Sequence, residues 1–283
     1  MSPITIAILT SWDWRIEVLL PLFLLGTIYI AGWSRLRRRT SATHNRWRAG
    51  ALWRPFSYIA GLIFIGIALM SPLDVLASSL FFMHMIQHLL LIMIAPPLLL
   101  LANPMAFLLW GLPGGIRAKA GNLLSRLLNR NASSRRWIQK ATTPGIIWLF
   151  WFIAIIGWHD PNAYNASLVY EWVHDVEHLS FFAAGMLFWW HVTGAGPRLH
   201  KQFGLAGRIA FTLSAVPPNM LTGVVLTFLT VPVYTYYLDV PRVWGVSPLV
   251  DQQIGGLIMW IPGSMMYLIA VLVLISRLLS EDN

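Results

Sequence analysis

Two pairs of histidines are the residues of this sequence whose type and spacing most directly indicate chemistry. His84 and His88 lie four residues apart in the string FFMHMIQHLL, and His174 and His178 have the same spacing in YEWVHDVEHLSFF. Residues four apart on a helix share one face, about 6 Å apart along the axis. Neutral imidazole binds zinc, copper, iron and nickel. Two such pairs on neighbouring helices would converge on one metal ion.

The remaining donors favour copper, in the Cu(I) state. The sequence contains no cysteine, so thiolate sites and iron–sulfur clusters are excluded. Met85 lies one turn from His88 on nearly the same face, and thioether sulfur favours Cu(I). His159 follows Trp158 at the end of another apolar segment and is a fifth candidate imidazole. Most of the 11 methionines are expected to be packing residues.

Polar residues close to these histidines are candidate partners that orient the imidazoles, as carboxylates commonly do around metal-bound histidine. Glu171 and Glu177 belong to the same segment as His174, and Asp175 is between them. Asp251 and Gln252 open the last apolar segment, in the string DQQIGGLIMWIPG. The alternative for the acidic residues is a solvated rim outside the membrane. The two glycines of DQQIGG would allow another helix to approach closely.

The composition indicates which elements must position these side chains. Hydrophobic residues make up 57% of the 283 residues, charged residues only 11%, and the mean hydropathy is +0.64. Average soluble domains contain about a quarter charged residues. So small a number of charged residues cannot cover the surface of a water-soluble protein of this length. The excess apolar surface must therefore face lipid. The sequence therefore predicts an integral membrane protein.

We predict an all-α fold in which residues 1–283 form one transmembrane domain. A helix that crosses about 30 Å of hydrocarbon needs about 20 mostly apolar residues. By that measure the sequence contains seven spans, at about 16–33, 54–70, 80–101, 143–158, 171–191, 209–230 and 252–275. Proline pairs at Pro96–Pro97 and Pro217–Pro218 predict kinks within two of them.

The charges predict the orientation, because cytoplasmic loops accumulate Lys and Arg. One set of alternate loops carries 18 basic and 2 acidic residues, and the other set carries 2 basic and 9 acidic, giving +16 and −7. We therefore expect the N-terminus outside and the C-terminus in the cytoplasm. The net charge of +9 then reflects topology and contact with anionic lipid, and nucleic acid is not expected as a partner. All five candidate histidines fall on the acidic, exoplasmic side.

Four strings together resemble the polytopic CtaG family of cytochrome c oxidase assembly factors. They are MHMIQHLLLIMIAPPLLLLANP, GWHDPNAY, EWVHDVEHLSFF and DQQIGGLIMWIPG, in that order along the chain. The likeness as a whole runs from about Ser71, in SPLD, to Gly263. The HMIQH and APP combination and the DQQIGG block carry most of the specificity. The first apolar segment and the basic loop near residues 112–142 carry no signature.

The resemblance implies a multi-pass protein of a bacterial inner membrane that helps to build active haem–copper oxidase. It implies oxidase subunits as partners, copper delivery as the contribution and a copper donor outside the cytoplasm. The histidine motifs of the family fall on His84 and His88, on His159, and on His174 and His178. Such a protein is expected not to be an enzyme.

Three alternatives remain open from the sequence. A membrane cytochrome would use one histidine of each pair as axial haem ligands. A di-metal enzyme of the desaturase type also uses HxxxH clusters, although with more histidines and on the cytoplasmic side. In a scaffold without metal, the histidines would have only structural roles.

Overall fold

The structure, a computed structural model, describes residues 10–40, 51–197, 199–200 and 203–281, and within these ranges every regular element is helical. The first half of the chain forms the following helices: α1 (Ile16–Thr40), α2 (Trp53–Met70), α3 (Pro72–Ala77), α4 (Phe81–Leu89), α5 (Ala95–Leu101), α6 (Pro104–Gly111), α7 (Gly114–Leu127), α8 (Ser133–Ala141). The second half forms these: α9 (Pro144–Trp158), α10 (Pro161–Val169), α11 (Glu171–Thr193), α12 (Leu205–Leu213), α13 (Val216–Phe228), α14 (Tyr236–Asp239), α15 (Pro248–Ile258), α16 (Ser264–Glu281).

Each predicted span coincides with a helix or with two helices in succession, and five of them are long and apolar enough to cross a membrane. A sixth is obtained if α8 and α9, which meet at a bend of 52°, count as one broken span. The 23-residue helix α11 is about 35 Å long, but its histidine and glutamate residues make it less apolar than the other spans. The count of seven spans and the orientation of the termini therefore stay predictions.

The third span stays continuous through its proline pair because it contains a π-helical turn, Leu90–Ile94, between α4 and α5. Pro96 has no N–H to donate to the carbonyl of Ile92, four residues earlier. The indole Nε1 of Trp189, on α11, donates to that carbonyl at 2.9 Å instead. A Cβ atom at Gly185 would lie only 2.8 Å from the same oxygen, so α11 needs a glycine there to pack this closely.

A second π-helical turn, Met259–Gly263, joins α15 to α16 and contains Pro262. The side-chain amide of Asn219, on α13, donates to the carbonyl of Met259 at 3.1 Å. Close approach of helices at the DQQIGG glycines, predicted from the sequence, is confirmed. A Cβ atom at Gly256 would lie 2.6 Å from the backbone nitrogen of Thr227, on α13. These contacts fix α13 and α15 against each other.

The acidic side chain of Asp251 ties the last span to the start of the third. Its carboxylate accepts from the backbone N–H groups of Phe81 at 3.0 Å and Phe82 at 2.9 Å, the first two residues of α4. It also accepts from the guanidinium of Arg242 at 2.8 Å. The first N–H groups of a helix have no partner within the helix and carry partial positive charge, so a buried carboxylate satisfies both requirements. The N-terminus of α4 is thereby held in place.

Candidate metal centre

Helices α4 and α11 run parallel and in register, and this brings the two histidine pairs together. The ring centroid of His84 lies 5.2 Å from that of His174, and the ring centroid of His88 lies 5.6 Å from that of His178. Within each helix, the paired rings are 4.3 Å and 4.0 Å apart. The four imidazoles therefore form one compact group, as the two HxxxH spacings predict. His174 is the only one of the four that is partly exposed.

Glu177 is the fifth member of this group. Its carboxylate is fully buried and lies 3.6 Å from Nε2 of His84 and 3.5 Å from Nε2 of His88. These separations are too long for good hydrogen bonds. They match the distance of about 3.4 Å between two ligand atoms that each lie about 2.1 Å from one tetrahedral ion. The sequence predicted Glu177 as an orienting partner, whereas the structure places it directly between two rings.

Most ligand atoms of the histidine–glutamate cluster, which we define as His84, His88, His174, Glu177 and His178, are buried and lack hydrogen bonds. Nε2 of His84, both ring nitrogens of His88, Nε2 of His178 and both oxygens of Glu177 have no partner among the described residues. Buried polar atoms are nearly always hydrogen-bonded, and an uncompensated buried carboxylate is costly. Two overlapping triads, each with ligand atoms within 4.8 Å of one another, are His84–His88–His178 and His84–His174–Glu177. The donor set fits a transition-metal cation.

A chain of hydrogen bonds fixes which nitrogen of His84 carries the proton. The hydroxyl of Tyr237 donates to the carbonyl of Ala77 at 2.9 Å, and a carbonyl can only accept. Tyr237 therefore accepts from Tyr164 at 3.1 Å, and Tyr164 in turn accepts from Nδ1 of His84 at 2.9 Å. Nε2 of His84 is left with its lone pair directed at the cluster. This is the usual way in which a protein orients a metal-binding imidazole.

Sequence reasoning missed both tyrosines, since they lie in connections outside the apolar segments and have no spacing relation to the histidines. Tyr164 belongs to α10 and Tyr237 to α14, and both side chains are buried. For Glu177 a signal was present: it follows His174 by three residues and therefore lies on the same face of α11.

His159 and Met85 border a small cavity on the inner side of His88, and neither belongs to the two triads. Nδ1 of His159 donates to the carbonyl of Ile155 at 2.6 Å, and its buried Nε2 has no partner among the residues described. The single site predicted from the sequence is thus divided between two places.

Asp251 and Gln252 do not act on the imidazoles as predicted. The hydrogen bonds of Asp251 go to the start of α4 and to Arg242, as described above. The side-chain oxygen of Gln252 accepts from the backbone nitrogen of Val233 at 2.6 Å, which holds the connection between α13 and α14. Asp251 thus positions the helix that carries His84, and Gln252 fixes the connection that follows α13.

A network of charges lies at the outer end of the cluster. Arg15 bonds to Asp13 at 2.9 Å and to Asp74 at 3.2 Å, and its guanidinium lies 4.0 Å from the exposed Asp175. A cavity of about 180 Å³ is lined by Arg15, Asp175 and His178. Glu171 is exposed in the first turn of α11. Two of the carboxylates predicted to orient the imidazoles, Glu171 and Asp175, thus form an acidic rim at the first turns of α11.

Comparison with known proteins assigns the chain to a family. Uncharacterised proteins of Mycobacterium bovis and Mycobacterium leprae are 27% and 26% identical to it, over 100% and 95% of this chain. The chain spans only 42% and 40% of the length of these relatives. No solved structure matches it. The family model of the cytochrome c oxidase caa3 assembly factor matches residues 27–281, and this protein therefore belongs to that family.

Proposed function

We propose that this protein binds copper at the histidine–glutamate cluster, on the exoplasmic side of a bacterial inner membrane, and delivers it to a haem–copper oxidase during assembly. The observation that carries the proposal is the convergence of four imidazoles and one carboxylate. Of these, His84, His88, His178 and Glu177 present buried ligand atoms that have no hydrogen-bond partner among the described residues. Membership of an oxidase assembly family supplies the recipient.

The arrangement suits an ion that is loaded and released. His174 and the acidic rim lie at the partly exposed outer end of the cluster, while His84 and Glu177 are fully buried. The cluster thus offers more candidate ligands than one four-coordinate ion requires, and an incoming ion can exchange one imidazole for another without losing all its ligands. Such exchange is what delivery requires, and it proceeds without a catalytic step.

A haem between the two histidine pairs is not favoured. Each imidazole of the group has other imidazoles within 6 Å, and Glu177 fills the space beside His84 and His88. A porphyrin plane between opposed rings would have to displace these neighbours. The cavity of about 180 Å³ beside His178 is below the range of about 300–1,000 Å³ typical of organic-ligand sites.

Metal analysis of the detergent-purified protein, loaded with Cu(I) and washed, tests the proposal. The wild type should retain copper, and a variant with His84, His88, His174 and His178 all changed to Ala should retain much less. His200→Ala is the matched control, because this histidine bonds to Thr142 at the other end of the bundle. Equal copper in the wild type and the fourfold variant would contradict the site. An absorption spectrum of the same samples would reveal haem.

The role in assembly is tested in cells. Deletion of the gene should leave oxidase subunits present but poorly active when copper is limiting, and added copper should restore part of the activity. The fourfold histidine variant should behave like the deletion. If that variant supports full oxidase activity under copper limitation, the protein acts as a scaffold and copper delivery is wrong.

A further inference from the structure

A second group of metal-ligating side chains lies deeper in the bundle than the histidine–glutamate cluster. It surrounds a cavity of about 20 Å³ to which the third, fourth, fifth, sixth and last predicted spans all contribute. A cavity of this size holds one water-sized occupant. The residues that line it include three methionines, Met85, Met93 and Met259, and two histidines, His88 and His159. All three methionines are buried, with at most 6% of each exposed.

The polar atoms of this wall lack partners. Nε2 of His159 and both ring nitrogens of His88 are buried and have no hydrogen-bond partner in the part of the chain that the structure describes. Nδ1 of His159 is committed to the carbonyl of Ile155, so its Nε2 carries the lone pair. The side chain of Asn219 donates a hydrogen bond to the backbone carbonyl of Met259, the first residue of a π-helical turn. This bond fixes the position of Met259 in the cavity wall.

The chemistry of the wall selects one class of ion. Thioether sulfur and imidazole are uncharged donors, and thioether sulfur is soft. The residues that line the cavity include no carboxylate to compensate a divalent charge. The cost of burying an ion rises with the square of its charge, so a monovalent ion is favoured in an apolar interior with neutral donors. Cu(I) and its redox-inert analogue Ag(I) meet both requirements, whereas Zn²⁺ does not.

We propose that this methionine cavity, lined by Met85, His88, Met93, His159 and Met259, is a second metal site, specific for soft monovalent cations. It shares His88 with the histidine–glutamate cluster and otherwise has its own donors. His88 borders both places: its Nε2 lies 3.5 Å from Glu177, and its ring also forms part of the cavity wall. His88 is therefore the residue that an ion would pass in moving from one site to the other, a step that rests on the proposed function.

The experiment uses the full chain in detergent, titrated with Ag(I) against a competing chelator and examined by X-ray absorption at the silver edge. The wild type should bind an ion with sulfur neighbours. A variant with Met85, Met93 and Met259 all changed to Leu should lose the sulfur neighbours and one equivalent of Ag(I). The matched control changes the exposed Met105, Met220 and Met265 to Leu and should behave as the wild type.

The outcomes separate this site from the proposed function. Absence of sulfur neighbours in the wild type overturns the second site, whether or not the methionine variant folds. Retention of sulfur neighbours in the triple methionine variant overturns it as well. In a variant with His84 and His174 changed to Ala, the sulfur neighbours should persist. If that variant also keeps all of its copper and Zn²⁺, the histidine–glutamate cluster fails while the methionine cavity stands.

Discussion

The histidine–glutamate cluster and the methionine cavity lie on two sides of His88, and they differ in charge and in donor type. The cluster combines four imidazoles with a buried carboxylate and borders an acidic rim. The cavity combines two imidazoles with three thioethers and has no carboxylate in its wall. One helix, α4, contributes donors to both. The difference teaches that two neighbouring faces of one helix can offer a metal ion different surroundings, imidazole with carboxylate in the cluster and imidazole with thioether in the cavity.

The largest expected effect comes from Asp251→Ala, which should disturb both sites together. Asp251 holds the N-terminus of α4, and its loss also leaves Arg242 without this partner. Breaking a buried ion pair typically costs about 3 kcal/mol. We expect the free energy of unfolding, measured by denaturant titration in mixed micelles, to fall by about that amount. The exposed Asp239→Ala is the control.

Binding of Zn²⁺ and Ag(I) should weaken together in Asp251→Ala, because α4 supplies ligands to both sites. Weaker binding of only one of the two ions would show that Asp251 affects a single ligand and not the position of α4.

Glu177→Gln should separate the two sites. Removing the only carboxylate between the rings should weaken Zn²⁺ binding about 100-fold, or about 2.7 kcal/mol, and leave Ag(I) binding in the cavity nearly unchanged. The metal-free variant should also melt at a higher temperature than the wild type, because a buried carboxylate without a hydrogen bond is replaced by a neutral amide. Chelator competition and thermal unfolding measure the two effects.

Glu171→Gln, at the exposed end of α11, is the matched control for Glu177→Gln. It should change neither the affinity for Zn²⁺ nor the melting temperature. An equal loss of Zn²⁺ and Ag(I) in Glu177→Gln would mean that the two sites are one.

Tyr164→Phe should weaken Zn²⁺ binding at the cluster by a smaller factor than Glu177→Gln does. It removes the hydroxyl that accepts from Nδ1 of His84 and so frees the ring to rotate or to change tautomer. Loss of such an orienting partner typically costs 10- to 100-fold in metal affinity, and we expect about tenfold for Zn²⁺. Ag(I) affinity should not change. Tyr170→Phe, an exposed residue between α10 and α11, is the control, and equal affinities in the two variants would show that the hydrogen-bond chain has no effect.

Trp189→Phe should affect the cavity more than the cluster, with the smallest change. Its indole donates to the carbonyl of Ile92, which lines the cavity and lacks a helical partner because of Pro96. We expect a loss of about 1 kcal/mol in the free energy of unfolding, as for one buried hydrogen bond, and a weaker Ag(I) site. The exposed Trp172→Phe is the control. A larger loss of affinity for Zn²⁺ than for Ag(I) would show that Trp189 supports the cluster more than the cavity.

Patterns within single helices could be predicted from the sequence. These patterns depend only on residues that lie close together in the sequence. They are the positions of the apolar segments, the shared faces of the two histidine pairs and the need for small residues at DQQIGG. Each was found where it was expected. Proline was expected to kink the third span, and next to Pro96 the helix contains a π-helical turn whose free carbonyl is satisfied by the indole of Trp189. That compensation involves a residue 93 positions away and has no local signal.

The sequence by itself determined that this protein is helical and apolar, that thiolate chemistry is excluded, and that imidazoles are paired on helix faces. Only the tertiary structure decided that α4 and α11 lie in register, that Glu177 enters the cluster, and that His159 and Met85 belong to a separate cavity. The physical reason is that helical periodicity fixes which side chains share a face. Which faces meet depends on packing between segments that are far apart in the chain.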